Sequence, residues 1–219
     1  MAYDVALFSG GPMPDDGQEI KRGRKFDQVL EGAREVFLRD GFDGASVDDI
    51  ARAAGVSKAT LYSYFPDKRL LFMEVARSEC QAQADMATAQ IDPRLPIRDV
   101  LLFAGEQMIA IMSQTFNQRM YRMCVAESER FPEIGRQFYE CGPGLVRDRI
   151  AFFLRKYVEK GDLVIVDFDL AAEQFALLCK VDLMDRCLFK LETTYSNAEI
   201  TRVVEGAVDM FLARYGRRA

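Results

Sequence analysis

A chain of 219 residues, 49% hydrophobic and 29% charged, is long enough to bury a self-sufficient core in one or two domains. The absence of any histidine removes the side chain most used for proton transfer near neutral pH, which excludes Ser-His-Asp and Cys-His catalytic sets and His-ligated metal sites. A net charge of −5 argues against a protein that coats nucleic acid or anionic lipid with its whole surface. Any anion-binding role must therefore sit in one segment. No apolar run approaches the roughly 20 residues that span a bilayer. The start, residues 1–9, carries Asp4 and neither Lys nor Arg, unlike a secretory leader, so a cytoplasmic location is expected. The five cysteines, Cys80, Cys124, Cys141, Cys179 and Cys187, are odd in number and lack a CxxC pair. They read as reduced thiols packed as small hydrophobes, with a redox-sensing role for one of them left open. No cofactor and no metal are expected, and an enzyme reading lacks a catalytic constellation.

Residues 1–18 are acidic and rich in Gly and Pro, so residues 1–20 are expected to form a disordered tail. The sign then flips. Lys21, Arg22, Arg24 and Lys25 bring four positive charges together just before the first periodic segment, either a basic arm for a phosphate backbone or a solvated charge run. Phe26, Val29, Leu30, Ala33 and Phe37 fall on one helical face, and Gly41 stops that helix. Ser46, with Asp49 three residues on, starts a short second helix through Ile50, Ala51 and Ala54 that ends at Gly55, where a tight turn needs a positive φ. Ser57 caps a third helix carrying Leu61 and Phe65, and Pro66 ends it. Two short helices around a glycine turn form a helix-turn-helix, whose second helix presents its exposed face to the DNA major groove.

The stretches GFDGASVDDIA at 41–51 and AGVSKATLYSYFPDK at 54–68 closely resemble the TetR family signature over residues 24–72. The resemblance implies an all-α dimeric regulator: a helix-turn-helix domain at 21–70 and a helical ligand-binding and dimerisation domain at 71–219. It implies phosphate contacts from Ser46, Val47, Tyr62 and Lys68, with Arg24 and Lys25 supplied by the basic arm. It implies groove contacts from Ser57, Lys58, Ala59, Thr60 and Tyr64. The chemistry agrees, since Lys58 can donate to guanine O6 or N7 and the Ala59 methyl can touch a thymine methyl. Ala59 stands where many relatives carry glycine, which alters the bases that fit. Tyr62 and Tyr64 can alternatively pack between helices, and Leu61 and Phe65 read as core.

A long helix is expected from Asp67 toward Ile91, before Pro93 and Pro96. The remainder reads as amphipathic helices with breaks near residues 131–132, 142–144, 161–162 and 193–197. Residues 163–166 alone look extended, which suits a link better than a strand. The segments FPEIGR at 131–136, FYECGP at 138–143 and AAEQF at 171–175 resemble the C-terminal domain of AefR- and AcrR-type members. Pro143 is expected to kink or break its helix beside a pocket. Phe103, Met108, Met112, Phe116, Met120 and Met123 are the candidate pocket lining, with ordinary core packing as the alternative. Arg119, Arg122 and Glu127 could orient a polar group of a ligand or face solvent. Two final helices, at 170–191 and 198–215, carry Phe175, Leu178, Val181 and Leu188, then Val203, Val204, Val208 and Phe211, and are expected to form a homodimer interface. The expected partners are a palindromic double-stranded operator and a small, largely apolar ligand, with repression as the function. The alternative is a DNA-binding protein of the same fold without a ligand, such as a chromosome-organising factor.

Overall fold

The computed structural model describes residues 23–189 and 194–217. The tail expected at 1–20, with Lys21 and Arg22, lies outside those residues. The described chain is built of α-helices: α1 (Arg24–Gly44), α2 (Val47–Ala53), α3 (Lys58–Tyr64), α4 (Lys68–Ala89), α5 (Ile97–Met112), α6 (Thr115–Glu127), α7 (Pro132–Tyr139), α8 (Leu145–Glu159), α9 (Phe168–Leu178), α10 (Leu183–Leu188) and α11 (Asn197–Tyr215). No helix among the described residues is long and apolar enough to cross a membrane.

Two hydrophobic cores organise these helices. In the first, Phe26, Val29, Ala33, Val36 and Phe37 of α1 meet Ile50, Leu61 and Phe65 and the first turns of α4, as the one-face spacing of α1 requires. In the second, α5, α8, α9 and α11 bury Ile109, Leu154, Phe175, Val204, Val208 and Phe211. The expected extended link holds. Leu163 bridges Gly216, and the Val164 amide donates to the Tyr215 carbonyl at 2.8 Å, pinning the end of α11 beside the α8–α9 connection. The N-terminus of α11 is secured by a reciprocal capping box between Ser196 and Glu199.

Four expectations change. Gly41 adopts φ +74 as a stop should, yet one more helical turn follows it to Gly44. Pro143 does not break its helix. It sits in a π turn, Glu140–Gly144, whose flanking residues Tyr139 and Leu145 keep helical dihedrals, so α7 runs into α8 through a bulge. A π turn already widens the hydrogen-bond ladder and so tolerates the loss of the N–H donor that proline lacks. The single helix expected at 170–191 is instead α9 and α10, separated at Asp182, which takes φ +69. That strained backbone is held by its carboxylate, which accepts from Arg186 and Arg202 at 3.2 Å each. Finally, Phe175, Val203, Val204, Val208 and Phe211 are buried within their own subunit. Exposed apolar side chains in these segments include Leu170 and Leu177 of α9, Val181, Phe189, and Met210 of α11.

Tyr157 shows how the C-terminal core satisfies its polar groups. Its ring is buried, and its hydroxyl donates to the Leu95 carbonyl at 2.7 Å. Tyr157→Phe is expected to cost about 1 kcal/mol, because the carbonyl loses its donor while the packing stays. Scanning calorimetry should show a melting midpoint lower by about 2–4 °C; an unchanged midpoint would strike this bond from the stabilising set.

Candidate nucleic-acid interface and adjoining cavity

Each short helix begins on a serine in extended conformation. Ser46 accepts the Asp49 amide at 3.0 Å and Ser57 accepts the Thr60 amide at 3.1 Å, so orphan donors at both helix starts are satisfied. Hydrogen bonds from Ser46 and Arg52 also hold the Asp49 carboxyl below the usual carboxylate range. Between the helices Gly55 takes φ +63, and the Val56 amide returns to the Ala51 carbonyl at 3.0 Å. The turn packs against α1 at Gly32. A Cβ there would lie 2.4 Å from the Ala54 amide nitrogen, so only glycine allows this approach.

The outward face of α3 carries Ser57, Lys58, Ala59, Tyr62 and Ser63, all exposed, with Thr60 half-buried. Ser63 was not among the expected groove residues, although it follows Ala59 by four residues, one helical turn. Its hydroxyl bonds the Thr60 carbonyl at 2.6 Å. The Lys58 ammonium forms an ion pair with Asp48 of α2. Ser46 is exposed and Val47 half-buried at the start of α2, while Arg24 and Lys25 are exposed at the start of α1. Phe26 contacts both Tyr64 and Phe65, which brings those two cations beside the end of α3. Tyr64 is half-buried, its ring meeting that of Phe26 at 5.8 Å and 77°. Lys68 is half-buried too. Its ammonium donates to the Phe42 and Ala45 carbonyls at 2.8 and 3.0 Å and lies 4.4 Å from the Phe42 ring centre.

Helices α4 to α10 line a half-open cavity of about 230 Å³. Of the expected lining, Phe103, Met108, Met112 and Met120 face it. Phe116 and Met123 do not line it and pack with the first core instead. The π turn contributes Cys141 and Pro143 to the wall, with Cys141 beside Cys80 of α4. A hydrogen bond with Cys141 lowers the Cys80 thiol from its usual value, whereas burial pushes Cys124 and Cys179 up to about 12.

Residues 99–217 match the profile described as "AefR-like transcriptional repressor, C-terminal domain", and residues 29–75 match "Bacterial regulatory proteins, tetR family". The chain belongs to the TetR family of transcriptional regulators. It is a DNA-binding regulator of transcription and not an enzyme. Among curated TetR relatives, the repressor AcnR of Corynebacterium glutamicum is 34% identical over 61 residues, which is 28% of this chain and 32% of AcnR. The activator FasR of Mycolicibacterium smegmatis is 41% identical over 59 residues, 27% of each chain. The chain thus spans about a third of the curated relatives it matches. Solved structures extend the likeness to the whole fold. A TetR-family regulator from Mesorhizobium loti gives a TM-score of 0.78 at 28% identity, covering 89% of this chain and 98% of that one. The flavonoid-responsive regulator FrrA gives 0.70 at 32% identity, covering 90% and 100%.

In this TetR chain the head is not a detached unit. Phe72 of α4 meets Phe37, Phe42 and Phe116, with centroid separations of 4.9, 5.2 and 5.9 Å. Met120 and Cys124 of α6 and Ile134 of α7 join the same core. The Arg119 guanidinium lies against Gly41, 3.0 Å from where a Cβ would stand. Met120 therefore touches the head's core on one side and the cavity on the other. The sequence placed Phe116 and Met120 in one apolar series but could not reveal that α6 turns them toward different neighbours.

Proposed function

We propose that this TetR-family regulator is a repressor that binds a palindromic operator as a homodimer and leaves it when a small, largely apolar ligand fills the cavity. The observation that carries this reading is the shared core: α6 packs on the DNA-binding head through Phe116 and Met120 and lines the cavity through Met120. The name of FrrA, a regulator responsive to flavonoids, supports a small-molecule effector, and that of AcnR supports repression. Leu170 and Leu177 on one face of α9, with Val181 and Met210, supply the exposed apolar surface of the dimer. Two-fold symmetry then sets the heads about one DNA turn apart, roughly 34 Å. Such a protein works in the cytoplasm, where its operator lies.

In this reading Arg24, Lys25, Ser46, Val47 and Tyr62 contact phosphates, and Ser57, Lys58, Ala59 and Thr60 meet the groove. Tyr64 and Lys68 act from behind, Tyr64 by holding α3 on α1 and Lys68 by tying the end of α1 to the start of α4. Lys58 exchanges its Asp48 partner for a base edge on binding. Lys58→Ala is expected to cost about 1–3 kcal/mol on the preferred operator and to relax base preference at one position in each half-site. Fluorescence-anisotropy titrations on operator and scrambled duplexes check this. Equal weakening on both would make Lys58 a phosphate contact, and no weakening on either would remove α3 from the groove.

A further inference from the structure

The charge around the cavity is one-sided. Among the described residues its charged wall residues are Arg149 and Lys180, both cationic, and no Asp or Glu lines it. Arg149 is engaged by Asp85 of α4. Lys180 is different. It follows the end of α9, is half-buried, and lines both the main cavity and a small one of about 20 Å³ beside it. No carboxylate among the described residues pairs with it. Burial pushes its ammonium below the usual lysine value, opposed only by the neighbouring Cys179.

We infer that the effector of this cavity is an amphiphilic anion, an apolar ring system or chain that carries one acidic group paired with Lys180. An ammonium at the wall of an apolar cavity loses hydration when the cavity fills. A neutral occupant leaves that loss uncompensated. An anionic one offsets it with an ion pair, strengthened because water is excluded. The surrounding Met, Phe, Leu and Ile side chains bind the body of the molecule with little directional demand. Lys180 thus supplies the discrimination between acids and neutral analogues. The carbonyls at the end of α9 also favour a cation at this place, which is the competing explanation for the residue.

The inference rests on the effector reading for its consequence, but its test needs no operator. Anilinonaphthalene sulfonate and phenylnaphthylamine share one ring system and differ by the sulfonate, and both brighten in apolar sites. Binding of each to the full chain is followed by fluorescence. The chain contains no tryptophan, so Phe103→Trp provides a single donor whose energy transfer locates the probe at this cavity. Lys180→Met is expected to weaken the sulfonate by about tenfold to a hundredfold while leaving phenylnaphthylamine within about twofold, and Lys180→Arg is expected to keep most of the sulfonate affinity. Thermal melting of both variants near the parent midpoint separates lost binding from lost folding. If Lys180→Met shifts both probes alike, or shifts neither, Lys180 only caps α9 and the inference fails. Binding of phenylnaphthylamine without the sulfonate also overturns it, while leaving the apolar-effector reading in place. Binding of neither probe overturns both.

Discussion

Phe72→Ala is expected to lower stability by about 3–5 kcal/mol. Phe72 is buried to 1% exposure and is ringed by Phe37, Phe42 and Phe116. Removing it loses both transfer energy and the edge-on ring contacts, and rigid neighbours on α1 and α6 can close the void only in part. The melting midpoint should fall by about 6–20 °C. The shape of the transition is as informative as its position. Because Phe72 joins α1 to α6, the head and the C-terminal helices should melt together in parent and variant alike. Two separated transitions, with only the earlier one moved, would mean that the shared core carries little energy between the two parts.

Much of the head was legible in sequence because its signals are local. A serine followed three residues later by its backbone partner, a glycine at a positive φ and a proline at a helix end each act within one turn of helix. Ser46, Ser57 and Gly55 accordingly take the places expected of them. What could not be read depends on residues far apart in the chain. Lys68 looked like one more cation near a phosphate-binding helix, but its carbonyl partners, Phe42 and Ala45, lie 26 and 23 residues away. The apolar residues of α11 looked like a second face to bury against another subunit. Val204 and Val208 instead fill their own core, where Val204 packs closely on Gly105 of α5. Periodicity shows that a face is apolar, not which partner covers it. The break at Asp182 left no signal at all, since neither glycine nor proline marks it and a non-glycine residue rarely takes φ +69.

The same long-range contacts set the expected linkage between cavity and operator. A ligand that prefers the conformer with misplaced heads should weaken operator affinity about 5- to 150-fold, a coupling of about 1–3 kcal/mol, and the operator must weaken ligand binding by the same factor. The path available for that coupling passes from the cavity through Met120 into the head's core and, beside it on α6, through Arg119 lying on the Gly41 kink of α1. Arg119 is exposed and its truncation opens no core void. Arg119→Ala is therefore expected to leave ligand affinity of the free protein and operator affinity of the unliganded protein within about twofold, while bringing the coupling factor toward unity. The four equilibria of the cycle can be measured by calorimetric titration of an anionic apolar compound with and without operator, in parent and variant. A parent whose ligand affinity is the same on and off the operator would end the release mechanism for that ligand, since equal affinity moves no equilibrium. A variant with the parent's full coupling would leave release intact and place its route in the aromatic core around Phe72 rather than at Arg119.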